Sequence, residues 1–117
     1  MISRGFIYWV DPGASTGREE RKRRPYLVLS INSIASKFGI AIAIPGTTSL
    51  SKTHIYPRAV VRVSKEESGM NTDSHFLCFQ IRALDVNKFR SEPAGAVSPD
   101  SLRKIEEAVK HCLGFGF

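Results

Sequence analysis

A chain of 117 residues, 42% hydrophobic and 24% charged, has room for one core without staples, so residues 1–117 read as a single domain. The formal charge of +6 and pI near 9.7 favour a polyanion partner, such as nucleic acid or an acidic protein segment. No apolar run reaches membrane-spanning length, no hydrophobic signal core follows Met1, and the two cysteines match no metal-ligand spacing; a reducing cytoplasm is the expected compartment, with no membrane partner.

In chain order, Phe6-Ile7-Tyr8-Trp9-Val10 is aromatic and β-branched and ends at Asp11-Pro12-Gly13, which predicts a first strand. A charged loop runs on to Arg24. Residues 26–29 are continuously apolar and predict a buried strand, after which Asn32 or Ser33 caps a short helical turn through Ser36. Residues 39–44 predict a third strand, halted by Pro45-Gly46, and residues 47–53 form a hydroxyl-rich loop. Two more strands are expected at 59–63 and 76–81, joined by a polar connection over 66–74. A short strand falls near 89–90 or 94–97.

The last segment predicts a helix. Ser98 is its N-cap, Pro99 suits the first position and Asp100 complements the dipole. Leu102, Ile105, Ala108, Val109, Cys112 and Leu113 form one apolar stripe, and Gly114 stops the helix. Cys78 and Cys112 both fall on apolar faces, where reduced cysteine acts as a small hydrophobe. Strands followed by one helix packed across them predict a mainly β, α+β fold: a small curled sheet or open barrel with a C-terminal α-helix.

The most informative stretch is Gly17-Arg18-Glu19-Glu20-Arg21-Lys22-Arg23-Arg24-Pro25. Five of its nine residues are cationic, and it joins two apolar runs. A plain hairpin tether is shorter, or rich in turn residues. Packing like charges this closely costs repulsion unless an anion offsets it, so the loop reads as a binding element, with a solvated charge run as the bland alternative. Arg24 stands where loop meets buried strand, a usual place for functional residues.

Known catalytic signatures are missing: no Walker loop, no dinucleotide fingerprint, no zinc pattern and no nucleophile elbow. His54, His75 and His111 do not cluster in sequence, and too few carboxylates lie together for a two-metal nuclease. The polar groups that remain are the basic loop, with Glu19, Glu20 and Arg24, and the Pro45-Gly46-Thr47-Thr48-Ser49 turn with Lys52. These permit RNA cleavage by a neighbouring 2′-hydroxyl without a metal or cofactor. That chemistry needs a base, donors for the charged phosphorane and help for the leaving 5′-oxygen.

Five motifs in order resemble the MazF/PemK family of toxin–antitoxin endoribonucleases. They are Arg4-Gly5-x-Ile7-Tyr8-Trp9-Val10-Asp11-Pro12; Gly17-x-Glu19 with Arg24-Pro25-x-Leu27-Val28-Leu29-Ser30; Pro45-x-Thr47-Thr48; Gly69-Met70-x-x-Asp73-Ser74; and Gln80-Ile81-Arg82-x-Leu84-Asp85. The Ser98-Pro99 helix closes the pattern. The resemblance implies an SH3-like barrel of the CcdB/PemK type, a homodimer, and a cognate acidic antitoxin as inhibitor. It also implies metal-independent, sequence-specific cleavage of single-stranded mRNA to 2′,3′-cyclic phosphate and 5′-hydroxyl ends.

By resemblance Arg24 and Thr47 take the family's catalytic positions. A guanidinium stays protonated, so Arg24 is better read as phosphorane stabiliser than as proton donor. Glu19, or the adjacent Glu20, is then the candidate base, the alternative being an ion pair that orders the loop. Arg18, Arg23, Thr48, Ser49, Lys52 and Arg82 are the expected RNA contacts. The chain departs from the family pattern at Glu20, Lys22, Phe79 and Ala83, which leaves a more charged loop and gives Phe79 a core or stacking role. Two rival readings remain: a CcdB-like gyrase-binding toxin acting through the apolar end Gly114-Phe115-Gly116-Phe117, and an inactive homologue that only binds RNA or antitoxin.

Overall fold

The computed structural model describes residues 1–11, 23–48 and 56–115. Strand β1 (Phe6–Val10) pairs antiparallel with β2 (Arg24–Val28), Ile7 lying opposite Leu27 and Trp9 opposite Pro25. Every residue of β2 after Arg24 is buried, as its unbroken apolar run requires. Helix α1 (Asn32–Phe38) is longer than the expected turn, and Asn32 does not cap it. Its N-cap is Ile31, while Asn32 Oδ1 accepts the backbone N–H of Arg4 at 2.8 Å.

Strand β3 (Ile40–Thr47) corrects the expectation that Pro45-Gly46 ends it. One edge pairs with β2, Tyr26 lying opposite Pro45. The other edge pairs first with β6 (Arg82–Asp85) over residues 40–43, then with β5 (Ser74–Leu77) over Gly46 and Thr47. Pro45 falls between those two pairings, where a missing N–H is tolerated. Gly46 is required for a different reason. A Cβ there would sit 2.9 Å from the Phe76 ring, so its bare backbone lets β5 approach.

The run 76–81 is likewise not one strand. β5 ends at Leu77, a 3₁₀ turn at Cys78–Gln80 makes a corner, and β6 returns along β3. Apolar sequence reports burial but not direction, so the corner leaves no periodic signal. Phe79, expected in the core or stacking, lies in this corner and is 50% exposed. Between β4 (Val60–Val63) and β5, part of the expected connection forms helix α2 (Lys65–Ser68), capped by Ser64 and closed by Gly69 in the left-handed region at φ 82°. Phe89 makes an isolated bridge to Val10, and β7 (Gly95–Ala96) pairs with β1.

Helix α3 (Pro99–Leu113) matches its sequence closely except at Leu113, expected in the apolar stripe but 52% exposed at the helix end. The Ser98 hydroxyl accepts the Ser101 N–H at 3.2 Å, and Gly114 ends the helix at φ 81°. The sheet runs β4-β5-β3-β2-β1-β7, with β6 also on β3, and it curls because β3 changes neighbours along its length. This is a mainly β half-barrel with a C-terminal helix. One core cluster joins Ile7, Leu27, Ile44 and Phe76 to Ile105 and Val109 of α3. A second cluster holds Tyr8, Val10, Tyr26, Val28 and Ala43, the alternate residues of β1, β2 and β3, with Leu84 of β6. Burying a side chain such as Ile105 contributes about 1.5–3 kcal/mol, so the stripe on α3 accounts for its docking. Arg4 adds a polar tie, donating to the Leu29 carbonyl and to Glu106 of α3. Among the described residues, no helix is long and apolar enough to cross a membrane.

Candidate nucleic-acid interface

Two strand ends build the site. Arg24 opens β2 and Thr47 closes β3. Their pairing runs Val28–Ala43, Leu27–Ile44, Tyr26–Pro45. Two more steps in that register would set Arg24 level with Thr47, at the end of the sheet where the two strands stop. A cleft of about 590 Å³ lies there. Arg23, Arg24 and Pro25 contribute from the start of β2, and Gly46, Thr47 and Thr48 from the end of β3. Trp9, Ala94, Ser74 and the segment Gly69-Met70-Asn71-Thr72 complete it. No carboxylate is among these lining residues. Arg23 and Arg24 are exposed, and among the described residues neither forms an ion pair or a side-chain hydrogen bond. An anion entering the cleft therefore meets guanidinium groups with donors to spare.

The 69–74 wall is fixed by carboxylates placed behind it. Asp73 Oδ1 accepts the Lys65 N–H at 2.8 Å, and Oδ2 accepts from Arg62 at 2.7 Å. Those two bonds, with the neighbouring positive charges, hold the Asp73 carboxyl below its usual range. Glu67 ties α2 to the start of α3: the Ser98 N–H donates to Oε2 at 2.8 Å and the Ser101 hydroxyl to Oε1 at 3.0 Å. Partial burial pushes Glu67 up, but the bonds from Ser98 and Ser101 and the charge of Lys104 together hold it below 4.5. Gly95 of β7 closes the arrangement, since a Cβ there would lie 2.6 Å from the Ser68 carbonyl oxygen and 2.8 Å from Met70.

Of the residues singled out from sequence, Arg23, Arg24, Thr47 and Thr48 come together in this cleft. Arg82 does not line it; it is exposed on β6, opposite Ala43. Arg18, Glu19, Glu20, Ser49 and Lys52 lie outside the described residues, as does His54. Sequence reasoning passed over Trp9, which is 38% exposed between buried Tyr8 and Val10. Its place on the opposite side of the strand from those neighbours was the available signal. It also left Asn71 and Thr72 inside a motif without a task. His75, dismissed for want of a sequence cluster, lies opposite Thr47, 9% exposed, its Nδ1 without a partner among the described residues.

A second cleft of about 480 Å³ lies between β4 and α3, lined by Arg58, Arg62, Lys104, Glu107 and His111 over Val60, Val61 and Ala108. His111 is half-buried there. Cys78 is buried and free; burial, with Cys112 adding to it, pushes its thiol up to about 12. That is an inert thiol.

Comparison with known proteins agrees with this geometry. The family model for PemK-like, MazF-like toxins of type II toxin–antitoxin systems matches residues 3–113. The endoribonuclease MazF9 of Mycobacterium tuberculosis is 30% identical over 115 residues, covering 94% of each chain. The endoribonuclease toxin MazF of Escherichia coli strain K12 is 29% identical over 119 residues, covering 97% of this chain and 100% of the relative. The crystal structure of MazF from Deinococcus radiodurans superposes with a TM-score of 0.76 at 25% identity, over 97% of this chain and 96% of that one. With the sheet order, the C-terminal helix and a family match over nearly its whole length, the chain belongs to the PemK-like, MazF-like toxins of type II toxin–antitoxin systems.

Proposed function

We propose that this chain, working as one domain over residues 1–117, is the toxin of a type II pair that cleaves single-stranded mRNA without a metal. The observation that carries the reading is the cleft shared by Arg24 and Thr47, with Arg23 and Thr48 beside them. The 2′-hydroxyl attacks the adjacent phosphorus as a base takes its proton; the 5′-oxygen then leaves with a proton. The products are a 2′,3′-cyclic phosphate and a 5′-hydroxyl. Arg24 stabilises the phosphorane, because its planar fork donates to two non-bridging oxygens at once. Thr47 adds a short, orientable hydroxyl donor. Glu19 or Glu20 is the base, and Arg18, Arg23, Thr48, Ser49, Lys52 and Arg82 hold the strand.

The same cationic cleft attracts an acidic antitoxin segment that folds as it binds and blocks RNA. The protein acts in the cytoplasm, where its substrate is found and where Cys78 and Cys112 stay reduced. It works as a homodimer, a state that sedimentation velocity checks directly.

Purified protein incubated with single-stranded RNA in excess EDTA, with Arg24→Ala alongside, tests the cleavage. Discrete cyclic-phosphate ends made by the wild type alone are the expected result. Intact RNA, or equal cutting by both proteins, removes the assignment.

A further inference from the structure

The motif Gly69-Met70-x-x-Asp73-Ser74 has no part in the chemistry above, yet it forms a wall of the same cleft. Both ends of this wall are pinned. Gly69 donates to the Lys65 carbonyl at 2.9 Å, and the Met70 N–H donates to Ser68 Oγ at 3.1 Å. At the far end Asp73 binds Arg62 and the Lys65 N–H. Between the pins Asn71 and Thr72 are exposed, line the cleft and form no hydrogen bond among the described residues.

A fixed backbone that presents an unengaged carboxamide and hydroxyl suits the edge of a nucleobase. The carboxamide offers a donor and an acceptor side by side, and the hydroxyl can act as either. Little ordering entropy remains to be lost when a base arrives. The exposed ring of Trp9 on the same cleft supplies a face on which that base can stack. Neither side chain carries charge, so neither adds to the sequence-independent attraction for phosphate. Their effect falls on selectivity.

We infer that Asn71 and Thr72 read the edge of one nucleobase beside the scissile phosphate and so set part of the RNA sequence that is cut. This rests on the ribonuclease reading above. It assigns the wall a different task from Arg24 and Thr47: choosing the strand rather than cutting it.

The test uses full-length wild type, Asn71→Ala and Thr72→Val, each of unchanged melting temperature, on oligonucleotides derived from the preferred cut site with one base altered at a time. Asn71→Ala is expected to cut the preferred RNA more slowly while losing discrimination at one position. The kcat/KM ratio between preferred and altered base there should fall about tenfold, with a smaller fall at the same position for Thr72→Val. Slower cutting of every RNA by one common factor, with preference intact, overturns the inference.

Selection from a random single-stranded RNA pool gives a readout independent of cutting. Arg24→Ala protein should enrich a short motif, and the Arg24→Ala, Asn71→Ala double variant should lose one position of it. Wild type that leaves all RNA intact yet enriches a motif sensitive to Asn71 removes the nuclease assignment and keeps the base reader. Enrichment unaffected by Asn71, or none at all, removes the reader.

Discussion

Among the described residues, the Arg24 cleft and the β4–α3 cleft both carry cationic side chains, and they differ in what answers those charges. In the β4–α3 cleft, Arg62 is held by Asp73, Lys104 acts on Glu67, and Glu107 itself lines the surface 3.6 Å from Lys110. At the Arg24 cleft, among the described residues, no carboxylate lines the wall and the guanidinium groups of Arg23 and Arg24 have no ion-pair partner. Apart from Arg58, the positive charge of the β4–α3 cleft is therefore answered by the fold, while that of Arg23 and Arg24 is left for an incoming anion. Net charge alone cannot make that distinction, because both clefts contribute to the same +6.

The largest expected effect separates the two directly. Arg24→Ala removes a donor from the phosphorane and should lower kcat/KM for RNA cleavage by about 10²–10³-fold. Its side chain is exposed and unbonded among the described residues, so the melting temperature should hold. Arg58→Ala in the other cleft should leave cleavage near wild type. Equal losses from both substitutions would mean that the cationic surface works as a whole and that the cleft at position 24 has no special standing.

Next comes the wall. Gly95→Ala drives a Cβ against the Ser68 carbonyl oxygen and Met70, and backbone cannot swing aside as a side-chain tip can. The unfolding free energy from urea titration should drop by about 1–3 kcal/mol. Cleavage should fall with it, because the displaced segment carries Asn71 and Thr72. This contrasts with Arg24→Ala, where activity falls and stability does not. A Gly95→Ala protein of unchanged stability would show that β7 does not press on α2.

How far the sequence revealed this arrangement depends on the kind of signal. α3 was legible because cap, stripe and stop all describe one element: Ser98, Pro99, Ile105 to Val109, and Gly114 agree. β1 was legible for its β-branched and aromatic residues. β3 was cut short, since Pro45-Gly46 reads as a terminator unless one knows that the strand changes partners there and that Gly46 makes room for Phe76. The corner at Cys78–Gln80 and the return of β6 were hidden for a related reason, as they depend on what β3 offers from far away in sequence. The convergence of Arg24 and Thr47 was expected from the motifs and is now seen in the residues that line one cleft. Trp9, Asn71 and Thr72 were not, because lining a cleft is a property of three segments at once.

A smaller effect sharpens the contrast between the clefts through salt. Each phosphate neutralised on single-stranded RNA contributes about 0.7 to the slope of log affinity against log salt. Arg23→Ala should therefore reduce the slope by about that much, measured with Arg24→Ala protein to prevent cutting. Arg58→Ala and Arg62→Ala should leave the slope unchanged. A slope lowered by Arg58→Ala would put the second cleft on the RNA path.

The smallest effect tests whether the wall is held by charge. Glu67 titrates below its ordinary 4.5 in the folded chain, so the tie it makes to Ser98 and Ser101 is fully present above that value and is lost as pH falls through the lower folded pKa. Glu67→Gln should accordingly cost stability at neutral pH, by less than about 1 kcal/mol because the carboxylate is largely solvent-screened. The gap between the two proteins in urea melts should close as pH falls from 4.5 through the lower folded pKa, where the wild-type carboxyl itself becomes neutral. Asp73, also held low, titrates in both proteins and cancels from the difference. A gap that stays constant across that range would assign the link between α2 and α3 to packing at Gly95 and Met70, leaving the carboxylate a bystander.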